Sequence, residues 1–64
     1  MATYEQIEQL TEIIVNLEKD ITSTSNSLST IPSKDLPEAE QNLQYLRDLL
    51  QDLKLQKELL ITEL

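Results

Sequence analysis

Ile21-Thr22-Ser23-Thr24-Ser25-Asn26-Ser27-Leu28-Ser29-Thr30-Ile31-Pro32-Ser33-Lys34-Asp35-Leu36-Pro37-Glu38 is the stretch that decides the fold. Its Ser, Thr and Asn residues have weak helix propensity and would suit a polar linker. Its apolar residues say otherwise. Ile21, Leu28 and Ile31 keep a spacing set further upstream, with Thr24 at the missing step. A linker has no reason to hold that phase. The phase predicts a first helix running to about Thr30, weak in its last turns; the alternative is a helix ending near Ile21 and a flexible connection. Pro32 closes the helix, because the residue before a proline is pushed out of the α region. A new start follows, with Asp35 as the expected N-cap, Glu38 as its capping-box partner and Pro37 in the first turn, where no N–H is needed.

Outward from this stretch the same rhythm runs in both directions. Upstream stand Ile7, Leu10, Ile14, Leu17, Ile21, Thr24, Leu28 and Ile31; downstream stand Leu36, Ala39, Leu43, Leu46, Leu50, Leu53, Lys57, Leu60 and Leu64. Steps alternating between three and four residues average 3.5, which keeps a narrow stripe facing a partner helix in a left-handed supercoil. Thr3 and Gln6 match a capping box at the first helix's start, and Glu5 and Glu8 lie where the helix dipole favours negative charge. The expected architecture is all-α: one domain, residues 1–64, forming a two-helix antiparallel coiled-coil hairpin. Its first helix covers about 3–31, its turn about 32–35 and its second helix about 36–64. Such a hairpin is expected to dimerise into a four-helix bundle or to dock into a larger helical assembly.

A turn this short makes the helices antiparallel. Centred there, the fold sets Ile31 opposite Leu36, Leu28 opposite Ala39, Thr24 opposite Leu43 and Ile21 opposite Leu46. Further from the turn, Leu17 meets Leu50, Ile14 meets Leu53 and Ile7 meets Leu60. Glu18 is expected near Arg47. One layer sets Leu10 against Lys57. The plain reading of that layer is a lysine whose aliphatic stem crosses the seam while its ammonium stays in water. The functional reading is a register or oligomer-state device, since a polar seam residue costs stability but disfavours wrong pairings.

Eight large apolar residues fall off the seam: Tyr4, Ile13 and Val15 in the first helix, and Tyr45, Leu49, Leu55, Leu59 and Ile61 in the second. Most belong to the half carrying the two chain ends. One antiparallel partner cannot cover Leu49, Leu55, Leu59 and Ile61, so these eight form the candidate interface with another copy or another protein. A chain of 64 residues is also near the lower limit for folding without help.

Composition narrows the function classes. The chain has no Cys, His, Gly, Trp or Phe. Thiolate and imidazole metal ligands, the usual general base at neutral pH and glycine-rich phosphate loops are therefore missing. No catalytic, cofactor-binding or metal-binding residue is expected, and no enzymatic activity. Twelve acidic against five basic residues give a formal net charge of −7, which disfavours direct binding to nucleic acid or anionic membranes. No apolar run exceeds the length of Ile13-Ile14-Val15, which is far too short to span a membrane. An intracellular location, cytoplasmic with the nucleus as the alternative, is the expectation.

The stretch Tyr4-Glu5-Gln6-Ile7-Glu8-Gln9-Leu10-Thr11-Glu12-Ile13-Ile14-Val15-Asn16-Leu17-Glu18 is similar to the first helix of the small subunit of exonuclease VII, an acidic helical hairpin. The similarity covers under a quarter of the chain and consists mainly of heptad spacing. The short glycine-containing turn of that family is absent, and Ser/Thr-rich residues replace it. The architecture also resembles the Rop-type RNA-binding four-helix bundle, without the basic face that RNA requires. Neither likeness assigns a family. Three functions remain. The first is a non-enzymatic module that self-associates or scaffolds a complex, with itself or another helical protein as partner. The second is an acidic regulatory inhibitor or antagonist occluding a basic surface of an enzyme or nucleic-acid-binding protein. The third is an accessory subunit of an enzyme.

Overall fold

A computed structural model describes residues 2–64. It is an all-α hairpin: α1 (Tyr4–Ser27) and α2 (Leu36–Thr62) pack on each other, joined by two short 3₁₀ turns, Leu28–Thr30 and Ser33–Asp35. The molecule is a rod of 48 × 15 × 10 Å. Its length is set by α2, whose 27 residues rise about 40 Å at 1.5 Å each.

The first helix starts as its sequence dictates. Thr3 has extended backbone angles, its Oγ1 accepts from the Gln6 N–H at 3.2 Å, and Gln6 Oε1 accepts from the Thr3 N–H at 3.0 Å. Two donors that lack intrahelical partners are thereby satisfied. Ala2, just outside the cap, is only 7% exposed. It holds the position of a hydrophobic staple, whose partner position is the fourth helical residue, here Ile7. An apolar residue preceding a capping box is the ordinary sequence signal of such burial.

The Ser/Thr stretch is helical rather than a linker, and it weakens where expected. The α-helix persists through Ser27 and tightens into a 3₁₀ turn over Leu28–Thr30. The helix sustains its poor formers by back-bonding: Thr22 Oγ1 donates to Glu18 O at 3.0 Å, Ser27 Oγ to Ser23 O at 3.0 Å, and Thr30 Oγ1 to Ser27 O at 2.8 Å. Such bonds satisfy the hydroxyls but compete with the helix ladder, which fits the tightening at its end. Ile31 then swings to φ −84°, ψ 134°, the conformation that a following proline imposes.

The second start differs from the expected capping box. Asp35 has αR angles and its side chain makes no cap hydrogen bond. The Ser33–Asp35 turn feeds directly into α2, so Asp35 is already inside helical geometry and cannot adopt the extended conformation of an N-cap. At the other end α2 stops at Thr62, short of the chain end. Leu64, expected on the seam, is 55% exposed.

Between these ends the seam is the core. Among the described residues, Ile7, Leu10, Leu17, Ile21, Thr24, Leu28 and Ile31 are half-buried, as are Leu36, Ala39, Leu46, Leu50, Leu53, Lys57 and Leu60, while Ile14 and Leu43 are buried. Off the seam, among the described residues, only Ala2 is buried and only Thr11 and Ser25 are half-buried. A two-helix hairpin thus removes its stripe from water only in part.

Candidate functional site: the apolar flanks of the hairpin

The eight off-seam apolar residues all face solvent. Exposure runs from 37% at Leu49 to 79% at Tyr4, with Leu55 and Leu59 both at 58%. Their helical positions distribute them over two flanks. Counted from the seam, Tyr4, Val15 and Ile61 lie to one side and Leu55 at its outer edge. Ile13, Tyr45, Leu49 and Leu59 lie to the other side.

The first flank is concave. A groove of about 600 Å³ runs between α1 and α2 and brings Val15, Leu55 and Ile61 together, with Ile14 at its floor. The groove does not gather Tyr4, Ile13, Tyr45, Leu49 or Leu59. The off-seam apolar residues are therefore not one cluster but a groove on one flank and separate exposed positions on the other.

Charges line the groove. Lys54 Nζ lies 3.7 Å from Glu18 Oε2, and both side chains are about half exposed. Glu18 had been expected near Arg47, but Lys54 takes that place. The four-methylene stem of Lys54 and the two-methylene stem of Glu18 let partners from neighbouring turns meet, so layer counting alone does not fix rim pairs. In this exposed setting the pair stabilises the fold by a fraction of a kcal/mol. Lys57 and Glu58 also line the groove, where Lys57 is half-buried. That burial agrees with a stem lying across the seam and a head reaching its edge.

Elsewhere on α2, Gln44 Nε2 donates to Asp48 Oδ1 at 2.9 Å and Gln56 Nε2 to Asp52 Oδ2 at 3.1 Å. These are bonds along one helix, of the kind that supports a solvated face. Among the described residues no group of three His, Cys, Asp or Glu could hold a metal ion. No helix among them is long and apolar enough to cross a membrane. The arrangement can bury apolar surface and pair charges.

Comparison with family models, with curated proteins and with solved structures found no match.

Proposed function

We propose that this chain is a non-enzymatic assembly module, a helical hairpin that associates with another copy or another helical protein. One observation carries the reading: among the described residues nine large apolar side chains, the eight off the seam and Leu64, remain exposed, while only Ala2, Ile14 and Leu43 are buried. The accessible surface is 4987 Å². A compact globular protein of this mass, 7.4 kDa, would expose about 4,200 Å². Large unpartnered apolar area on so small a chain favours association. Sedimentation equilibrium across a concentration series tests the proposal. The expected result is a discrete oligomer forming in the micromolar range. A monodisperse, fully helical monomer at high micromolar concentration would overturn self-association.

The second reading is a regulatory antagonist that covers a basic surface. It is favoured by the net charge of −7 and by an opposite flank on which Asp20, Glu38, Asp52 and Glu63 are the charged residues. Affinity for a basic partner that falls steeply with salt would support it, whereas apolar self-association changes little with salt.

A further inference from the structure

We infer that the groove formed by Val15, Leu55 and Ile61 is the face on which a second copy of this chain docks, with Glu18 of one copy set against Lys54 of the other. The inference rests on the assembly reading and assigns it a face and a partner.

Charge distribution selects the face. A chain of net charge −7 meets like charge wherever it touches its own copy, unless its basic residues collect there. They do collect. Arg47 and Lys54 lie on the groove flank and Lys57 at its floor edge, interspersed with Glu8, Glu18, Glu40 and Glu58. The opposite flank has apolar residues of its own, Ile13, Leu49 and Leu59, but no Lys or Arg among them. Two copies meeting there would bring only carboxylates together.

Symmetry then fixes the pairing. A two-fold interface uses the same patch on both copies, so it must be complementary to itself. Here α1 contributes an acidic rim residue, Glu18, and α2 a basic one, Lys54. A two-fold that lays α1 of one copy over α2 of the other sets each Glu18 against a Lys54, twice, around the shared apolar centre. Within one chain the same two groups already lie 3.7 Å apart across the groove. Half exposed, they can exchange partners at little cost.

The test is a charge swap with rescue, read by sedimentation equilibrium, with circular dichroism confirming helix in every sample. Glu18→Lys alone sets a lysine against Lys54 of the other copy, and Lys54→Glu alone sets a glutamate against its Glu18, so each puts like charges at both symmetry-related pairs. Each is expected to dimerise about tenfold more weakly than the wild type. An equimolar mixture of the two is expected to regain wild-type association as a heterodimer. Asp20→Lys, on the opposite flank, changes net charge as much as Glu18→Lys; it should neither weaken dimerisation nor rescue Lys54→Glu. Rescue by Asp20→Lys would reduce the effect to net charge and overturn the inference. Wild-type assembly that survives both groove swaps but is lost in Leu59→Lys would overturn it too, while leaving the assembly reading in place. A wild type that never associates removes both.

Discussion

Lys54 and Glu18 join α2 to α1 across an open groove, 3.7 Å apart and both about half exposed. This is a weak bond in a telling place. It bridges the two helices on the flank where Val15, Leu55 and Ile61 are left uncovered, and it carries one charge of each sign. Substituting either partner by a neutral residue tests how little the bond contributes to the hairpin itself. Glu18→Gln should lower unfolding free energy by less than about 0.5 kcal/mol. The check is chemical denaturation in low salt, where the pair is not screened, at a fixed protein concentration below that at which the chain associates. A larger loss there would mean the pair is part of the fold and not of its surface.

Ile14 and Leu43 are the most deeply buried seam residues, at 5% and 3% exposure. Leu43→Ala removes methyl groups that the opposite helix cannot fully replace, at a cost of about 2–5 kcal/mol. On a chain this small that is a large share of total stability. Circular dichroism should show helix lost at concentrations where the wild type is folded. Leu17→Asp and Leu50→Asp, mid-seam and half-buried, should do the same by burying a carboxylate. Ser23→Asp, exposed near the tip, should be close to neutral. Equal effects from seam and tip would mean the seam is not the core.

The Ser/Thr stretch supplies a prediction about dynamics. Its helix ends in a 3₁₀ turn and depends on hydroxyl back-bonds, so it should open more readily than the helix around Ile14 or Leu53. Hydrogen exchange should show amides from Thr24 to Ser27 protected but faster than those mid-seam. Absence of any protection from Thr22 onward would restore the linker reading of this segment.

The seam was legible because period is a local property. Alternating steps of three and four residues name a stripe, and two stripes either side of Pro32 name a hairpin. The Ser/Thr stretch was legible for the same reason, since phase outweighed propensity there. What depended on three-dimensional reach was not legible in that way. Asp35 has an N-cap's chemistry, but the turn leading into α2 is itself helical and leaves the residue no extended conformation. Lys54 rather than Arg47 meets Glu18 because long side chains span neighbouring turns. The candidate interface residues were visible as exposed apolar positions, yet only helix geometry divides them between a groove and the opposite flank.

The capping box predicts a measurable increment. Thr3→Ala removes the acceptor of the Gln6 N–H and should cost about 1 kcal/mol. Gln6→Ala removes the reciprocal bond and should cost less, because alanine is a good helix former at this position within the first turn but a poor N-cap in place of Thr3. The double variant should cost less than the two singles added together, since each bond orients the other. A thermodynamic cycle by urea denaturation, at constant protein concentration, measures the difference. Strict additivity would show that the two bonds form independently.

Lys57 is the one charged residue on a seam otherwise built of Leu, Ile, Ala and Thr. It is half-buried, and it lines the groove beside Leu55 and Ile61. A leucine there would extend the apolar stripe without a break from Leu36 to Leu60, so Lys57→Leu should raise the stability of the hairpin. Apolar stripes without interruption also accept more than one register and more than one number of helices, and a single polar seam residue restricts both. The same variant should therefore lose uniformity as it gains stability. Light scattering coupled to size exclusion is expected to show a single species for the wild type and several for Lys57→Leu. If the variant is more stable and equally uniform, Lys57 is a snorkelling lysine whose position carries no specificity. If it is less stable, the ammonium makes an interaction in the groove that a leucine cannot replace, and the charge belongs to the interface.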